Sequence, residues 1–550
     1  MEDSMMKMGE FAKTILNERY AQDVEGRKET LQEVGQRCAN EVGKSVGMKK
    51  ALRGEIARLI ALRKFMPGGR YLAQTGKPYH QVNNCLMLRA EDSREGWAEL
   101  MHNASLSLMT GAGIGVNYSR VRPEGKPIRK TGGTATGPLA LMQMVNESAR
   151  WIRQGGTRRA ALWAGLNWKH ADIHKFITLK NWVPEVRALK AKNVDFPAAM
   201  DITNISICLD DEFFKAYNDD KHVLNSLATS VYRTAVERML KTGEPGFSID
   251  TGANSGEDLR NACSELCSRD DSDICNLGSI NMSRIDTLAE MREVTEIATA
   301  FLLAGTVYSD VPYPKVDQIR TKNRRLGLGL MGIHEWLLKH GKKYGQDAEL
   351  EKYLAIYKDE SNRASAAYAD QWELSKPVKC RAIAPTGTVS IVAETSSGIE
   401  PILVSAYKRY YYKGAQRFHQ YVIDPTAKKL IDSGVHPDAI EDAYTLAETP
   451  ERRIAFQEWV QKFVDHSISS TVNLPQYGSE VNNETTVIDF GNMLIKHLHG
   501  LRGITVYPDG ARSGQPLQPI SYKTAIKNVG EAFLESGDVC DLTKGGGCGT

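Results

Sequence analysis

Arg260-Asn261-Ala262-Cys263-Ser264-Glu265-Leu266-Cys267, closed by Asp273-Ile274-Cys275-Asn276-Leu277-Gly278-Ser279, is the stretch on which the reading of this chain turns. An amide (Asn261), a thiol (Cys263) and a carboxyl (Glu265) stand at alternate positions. In extended backbone alternate side chains share one face, so the three would meet the same small molecule; a helix would scatter them. The types suit one chemistry: a thiol that attacks or abstracts, a carboxylate that moves a proton, an amide that holds a hydroxyl. Cys263, Cys267 and Cys275 could instead ligate zinc. No His lies between His222 and His334, however, and the Cys-x-x-Cys pairs of zinc ribbons are absent, so no metal site is expected.

Working outward, Asn83-Asn84-Cys85-Leu86-Met87-Leu88 places a cysteine at the head of an apolar run that reads as a buried strand. From Leu139 to Asp250, strand-like runs such as Ile202–Leu209 and Gly246–Asp250 alternate with amphipathic helical ones such as Val223–Lys241, which argues α/β architecture. Two glycine-rich stretches invite a dinucleotide reading. Gly111-Ala112-Gly113-Ile114-Gly115 fails on spacing. Gly327-Leu328-Gly329-Leu330-Met331-Gly332 has the spacing but follows a basic helical run (Thr321–Arg325) where a strand is required, and is expected to serve close helix packing. His170 and His174 lie four apart without a third partner and read as structural. Ala384-Pro385-Thr386-Gly387-Thr388-Val389-Ser390 is a Pro/Gly turn with three hydroxyls, able to offer donors to a phosphate if a helix starts behind it.

Taken together, these stretches resemble ribonucleotide reductase catalytic subunits. Asn-x-Cys-x-Glu followed by Cys-Asn-Leu-Gly-Ser is similar to the family's finger loop. Pro385–Ser390, Ser396-Ser397-Gly398-Ile399-Glu400-Pro401 and Gly503–Pro516 follow its wording, closest to the adenosylcobalamin-dependent (class II) branch. The late stretch carries a single tyrosine, Tyr507, where class I enzymes use a tyrosine pair; Tyr410-Tyr411-Tyr412 comes too early in the chain and reads as surface packing. The resemblance implies a ten-stranded α/β barrel whose finger loop presents Cys263 at its centre. It further implies adenosylcobalamin as cofactor: cobalt–carbon homolysis would give a deoxyadenosyl radical that takes hydrogen from Cys263, and the thiyl would remove the 3′ hydrogen of a ribonucleotide. Glu265 would act as general base on the 3′ hydroxyl, Asn261 would bond the sugar, and Cys85 with Cys275 would supply two electrons and end as a disulfide.

The same resemblance assigns Asn84, Gly113, Pro385, Thr386, Gly387, Thr388 and Ser390 to substrate binding. It assigns Asp92, Arg129 and Arg158 to a dNTP or ATP effector site, the last two from the loops Lys126–Arg129 and Gln154–Ala161. Cys540 and Cys548, in a glycine-rich tail, would shuttle electrons from thioredoxin or glutaredoxin to the internal disulfide. Cys267 receives no role. Diphosphate substrates and a homodimer are expected. Two alternatives stay open: a class I catalytic subunit needing a separate metal-containing radical generator, and a non-catalytic nucleotide-binding protein of the same fold.

Size and charge agree with an enzyme of this kind. The 550 residues divide into an expected helical region (1–64), a barrel domain (65–525) and a flexible redox-active tail (526–550). The helical region looks too short for the ATP-binding module that some reductases carry. A formal charge of +3 gives no reason to expect nucleic acid as a partner. No apolar run approaches the ~18 residues of a membrane span, and the charged start is unlike a signal peptide. Nine cysteines without a secreted spacing fit a reducing, cytoplasmic setting.

Overall fold

Alternation along the strands decides the architecture. In Cys85–Arg89, Leu86 and Leu88 face an outer apolar layer shared with helices, while Cys85 and Met87 face an inner cluster with Leu259, Leu266, Cys275 and Ala382. Thr203–Asp210 and Gly246–Asp250 repeat the pattern: Ile205, Ile207, Leu209, Phe247 and Ile249 lie in the outer layer. Between them stand Ser206, Cys208, Ser248 and Asp250, all buried and all on the opposite side by strand periodicity. A sheet with helices outside and a polar, glycine-rich inner face follows. Burial of each large outer-face side chain contributes about 1.5–3 kcal/mol.

The computed structural model describes residues 7–129, 131–152, 160–193, 196–413, 416–511 and 517–534. Its largest sheet has ten strands. In chain order they are β1 (Phe65–Pro67), β2 (Cys85–Arg89), β3 (Gly113–Asn117), β4 (Leu162–Asn167), β5 (Thr203–Asp210), β6 (Gly246–Asp250), β7 (Asp273–Asn281), β8 (Leu326–Met331), β9 (Thr471–Leu474) and β10 (Gly503–Pro508). Strands β2 to β6 are successively parallel. At one side β7 joins β2 antiparallel and β8 runs parallel to β7, with β1 also against β7. At the other, β10 joins β6 antiparallel and β9 runs parallel to β10. The architecture is therefore mixed α/β built on a parallel-rich sheet. Beyond β8 the ladder thins to two isolated parallel bridges, Leu328 with Arg381 and Ile383 with Ile468.

The expected N-terminal helices are Glu10–Arg19, Leu31–Lys44 and Lys50–Ala61; the second starts at a capping box in which Thr30 and Glu33 satisfy each other's backbone. The glycine run at 327–332 corrects the sequence reading. Gly327 and Gly329 lie inside strand β8, and a Cβ there would meet the Asn276 carbonyl at 2.7 Å and the Ala382 carbonyl at 2.6 Å. These glycines serve close approach of neighbouring strands rather than helix packing. His170 is occupied by backbone: Nε2 lies 2.8 Å from the Val121 carbonyl, and Nδ1 accepts from the Asp172 amide at 3.1 Å.

The chain forms two compact units. The first comprises residues up to Pro401 with Ala443–Ala511 and holds the large sheet. The second is built on the hairpin Ala406–Lys413 with Gln416–Ile423, flanked by Leu517–Pro519 and Ala532–Leu534 in a four-stranded antiparallel sheet. Tyr410 lies on this hairpin and donates its hydroxyl to Gln518 at 2.7 Å. Among the described residues no helix is long and apolar enough to cross a membrane.

Candidate active site

A short hairpin crosses the inner face of the sheet. Leu259–Arg260 pairs antiparallel with Cys267–Ser268, and Asn261–Leu266 form its tip. Its entry is pinned where β2 and β3 end: Arg89 makes a bidentate pair with Asp258 at 2.7 Å, and the Asn117 amide donates to the Asp258 carbonyl at 2.9 Å. Gly115 makes room, since a Cβ there would lie 1.8 Å from the Arg260 carbonyl oxygen. At the exit, the fully buried Asp273 carboxylate accepts from Ser268 at 2.7 Å and Asn323 at 2.9 Å, and pairs with Arg325.

The tip is not the extended segment read from the sequence. Ser264 adopts the left-handed region (φ 61°) and its amide donates to the Asn261 carbonyl at 3.0 Å, so the chain turns at the cysteine. The hairpin must reverse within the sheet's interior, and a turn achieves that in six residues. Asn261 and Glu265 are almost fully buried, whereas Cys263 is exposed; the other described cysteines are all buried.

The structure brings the five predicted catalytic residues together. Cys85 and Cys275 are directly opposite in the antiparallel β2–β7 pair, a placement whose usual Cα separation of ~4.5–5.5 Å suits a disulfide. Both thiols are free. Burial pushes Cys85 well up, and the nearby Glu265 charge, Cys275 and Cys263 push it further. Burial and Asp273 likewise raise Cys275. Cys263 is raised by the surrounding protein and then by Glu265. All three are therefore protonated thiols at neutral pH and carry hydrogen rather than charge. Burial raises Glu265 to about 7, against opposing bonds from its own amide and from Asn261. One oxygen of this carboxyl, Oε2, is buried without a hydrogen-bond partner. A buried acceptor left open beside three thiols is a place for a substrate hydroxyl.

Asn84 and Gly113 lie at the same end of the sheet. The Gly113 amide donates to the Asn84 carbonyl at 2.8 Å, and a Cβ on Gly113 would meet Ala262 of the finger tip at 3.1 Å. Thr386, with φ 49°, caps the helix Gly387–Ala393. Its hydroxyl accepts from the Gly398 amide at 3.2 Å, and Ser390 bonds Ser397 at 3.0 Å. Pro385 and Gly387 are exposed. This turn begins two residues after Ile383, whose amide donates to the Ser467 carbonyl at 3.2 Å. Ser467 in turn donates to the Glu265 carbonyl at 2.8 Å.

Asp92 lies beyond the end of β2 opposite Cys85. Its carboxylate accepts from Arg122 at 2.8 Å, and Arg122 also donates to the Pro127 carbonyl at 3.2 Å. The exposed Arg129 sits in the loop that Arg122 anchors. Arg158, Cys540 and Cys548 lie outside the described residues. Sequence reasoning missed Arg122, Asp258 and His466–Ser467, all of which act through tertiary contacts. It also missed Tyr20, which reaches from the N-terminal region to the Thr388 hydroxyl.

Comparison with known proteins bears on this geometry. A model of the ribonucleotide reductase barrel domain matches residues 83–226, 223–367 and 379–507, most of the chain. The chain belongs to the ribonucleotide reductase family. It is 28% identical to a vitamin B12-dependent ribonucleoside-diphosphate reductase of Thermoplasma acidophilum over 82% of this chain and 64% of that protein. It is 26% identical to a protein of the same name from Mycobacterium tuberculosis, over 96% and 83% of the two chains. A protein of Mycobacterium phage D29, provisionally named an adenosylcobalamin-dependent ribonucleoside-triphosphate reductase, is 26% identical over 81% and 74%. Cys85, Asn261, Cys263, Glu265 and Cys275 all lie within the segments that the family model covers.

Proposed function

We propose that the chain reduces ribonucleotides to 2′-deoxyribonucleotides, and that it does so as an adenosylcobalamin-dependent enzyme. One observation carries the reading: Cys85 and Cys275 face each other across one strand pair, beside a finger tip that presents Cys263 and a half-satisfied Glu265. Adenosylcobalamin, when bound, supplies a carbon radical able to abstract hydrogen. Cys263 fits as the residue it addresses, because it is the exposed residue at the hairpin tip while the other described cysteines are buried. As thiyl, Cys263 removes the sugar's 3′ hydrogen and later returns it.

Glu265 takes the proton of the 3′ hydroxyl through its open oxygen, and Asn261 holds the sugar. The 2′ hydroxyl leaves as water. Cys85 and Cys275 together give two electrons and two protons and become a disulfide, which balances loss of one oxygen from the substrate. Burial of Glu265, Cys85 and Cys275 keeps water from the base and from the electron-donating thiols. Closure of the ten strands into a barrel is supported by the Leu328–Arg381 and Ile383–Ile468 bridges, which extend the ladder from β8 toward β9.

Diphosphates are the preferred substrates in this reading, in line with the names of the Thermoplasma and Mycobacterium tuberculosis relatives. Asp92 and Arg129 would take a deoxynucleotide effector, with Arg122 linking the two segments. A homodimer is supported by exposed Met109, Met144 and Trp151 on the neighbouring helices Arg94–Thr110 and Gly137–Trp151. Cys540 and Cys548 would pass electrons from thioredoxin or glutaredoxin. The test is reduction of CDP and CTP by the purified chain with dithiothreitol and a deoxynucleotide effector, with and without adenosylcobalamin. Turnover only with adenosylcobalamin, abolished in Cys263→Ser, is expected. Turnover that ignores the cofactor and requires a second, metal-containing protein would refute it.

A further inference from the structure

Residues 466–467 hold the return side of the finger hairpin. The Ser467 amide bonds the Glu265 carbonyl, and the Cys267 amide donates to Nδ1 of His466 at 3.1 Å. His466 is fully buried, and its backbone is fixed on both sides. Its amide donates to the Arg381 carbonyl at 3.0 Å, and its carbonyl accepts from the Gln461 side chain at 2.8 Å. Nε2 is buried with no partner. Since Nδ1 accepts a hydrogen bond, the ring proton sits on Nε2 and the ring is neutral. Burial first, and then Arg325, Lys379, Arg502 and Arg260, hold the imidazole well below its ordinary range, which keeps Nδ1 an acceptor. Those cations are themselves occupied: Arg325 by Asp273, Lys379 and Arg502 by Glu257, and Arg260 by the Ile249 and Leu259 carbonyls.

We propose that His466 is a positioning residue that fixes the finger loop through the Cys267 amide and so sets where the Glu265 carboxyl points. Glu265 stands two residues before Cys267, in a tip supported by only two paired residues on each side. The tip's own bonds, from the Ser264 amide to the Asn261 carbonyl and from the Leu266 amide to Asn261 Oδ1, stop short of Cys267, whose amide is held from outside the hairpin. The burial of a titratable ring without a second partner is costly, and a structural filler of that volume would be apolar. What the position requires is an acceptor at the site of Nδ1. Asparagine places its Oδ1 close to that point; glutamine carries its amide further out, near Nε2; leucine offers neither. Catalysis by Glu265 belongs to the reductase reading, so the test includes a readout independent of turnover.

The full-length His466→Asn, His466→Gln and His466→Leu variants are compared with the wild type by amide hydrogen exchange and by CDP reduction with adenosylcobalamin, dithiothreitol and effector. The Cys267 amide is expected to exchange slowly in the wild type and His466→Asn, and quickly in the other two, whereas the Leu266 amide, held by Asn261 Oδ1 at 3.1 Å, is the internal reference. In His466→Gln and His466→Leu, kcat is expected to fall about 100-fold with little change in KM, the signature of a misplaced catalytic group rather than lost binding. His466→Asn restores most of it. Wild-type exchange and kcat in His466→Gln would overturn the proposal, as would an asparagine variant no better than leucine. Should His466→Leu fail to fold, the contrast between the two amides decides. If the wild type shows no ribonucleotide reduction, the exchange contrast still tests the clamp, and the reductase reading alone falls.

Discussion

Replacing Glu265 by glutamine separates the physics of the site from its chemistry. The carboxyl is almost fully buried and raised from 4.5 to about 7. Each pK unit corresponds to 1.36 kcal/mol, so holding Glu265 ionised in the folded protein costs about 3 kcal/mol relative to the unfolded chain. Because the folded value lies above the unfolded one, the folded protein binds the extra proton. The full stability is present below about pH 4.5 and is lost as pH rises through about 7. Glutamine has no charge to bury. The variant should match the wild type near pH 4 and exceed it by up to about 3 kcal/mol at pH 8, while turnover falls by about 10²–10⁴-fold. Asp250, buried and also raised to about 7, contributes the same trend to both proteins and cancels in the difference. Thermal and urea unfolding of both proteins from pH 4 to 9 would read the effect directly. Parallel stability curves across that range, or a less stable variant at pH 8, would refute the assignment of Glu265 as a buried base poised at neutral pH.

Three further outcomes follow from the geometry. Gly115→Ala would place a Cβ 1.8 Å from the Arg260 carbonyl, so the finger must shift. A stability loss of about 1–3 kcal/mol and a larger proportional loss of turnover are expected, read by unfolding and by CDP reduction. A single turnover without external reductant should oxidise Cys85 and Cys275 to a disulfide, seen in a tryptic map as one crosslinked peptide; crosslinks involving Cys267 in their place would overturn the pairing. Arg122→Ala removes the link between Asp92 and the Pro127 carbonyl. Effector-induced changes in substrate preference should weaken in it, while turnover without effector stays near wild type. Undiminished effector response in that variant would count against the Asp92 assignment.

Much of the site was legible as spacing. Asn261, Cys263 and Glu265 announced a thiol with a base and an amide, whereas Cys85 alone read as a core thiol, its pairing with Cys275 came from the family resemblance, and only the fold set the two in one register pair. The outer layer was legible too, because strands buried on both faces leave an alternation of branched apolar residues with Gly, Ser, Cys and Asp. The local conformation of the tip was misread. A period-two pattern describes extended chain, and the turn-favouring Asn261 and Ser264 at the two ends of the turn were read only as part of that pattern. The glycines of β8 were misread for a related reason. Glycine marks close approach, but a sequence does not say whether helix or strand approaches.

What the sequence alone determined is therefore chemical inventory and periodicity: which residues can carry hydrogen, proton and electrons, and which faces of the strands are apolar. Those follow from covalent structure and from the fixed repeat of the backbone. Tertiary structure alone decided which charges are tolerated. Glu265 sits near neutrality because surrounding protein removes its water. Asp273 accepts from Ser268, Asn323 and Arg325 so that the finger's exit meets Cys275. His466, some 200 residues distant in sequence, bonds the Cys267 amide. Desolvation and hydrogen bonding depend on neighbours brought from anywhere in the chain, and no local pattern encodes them.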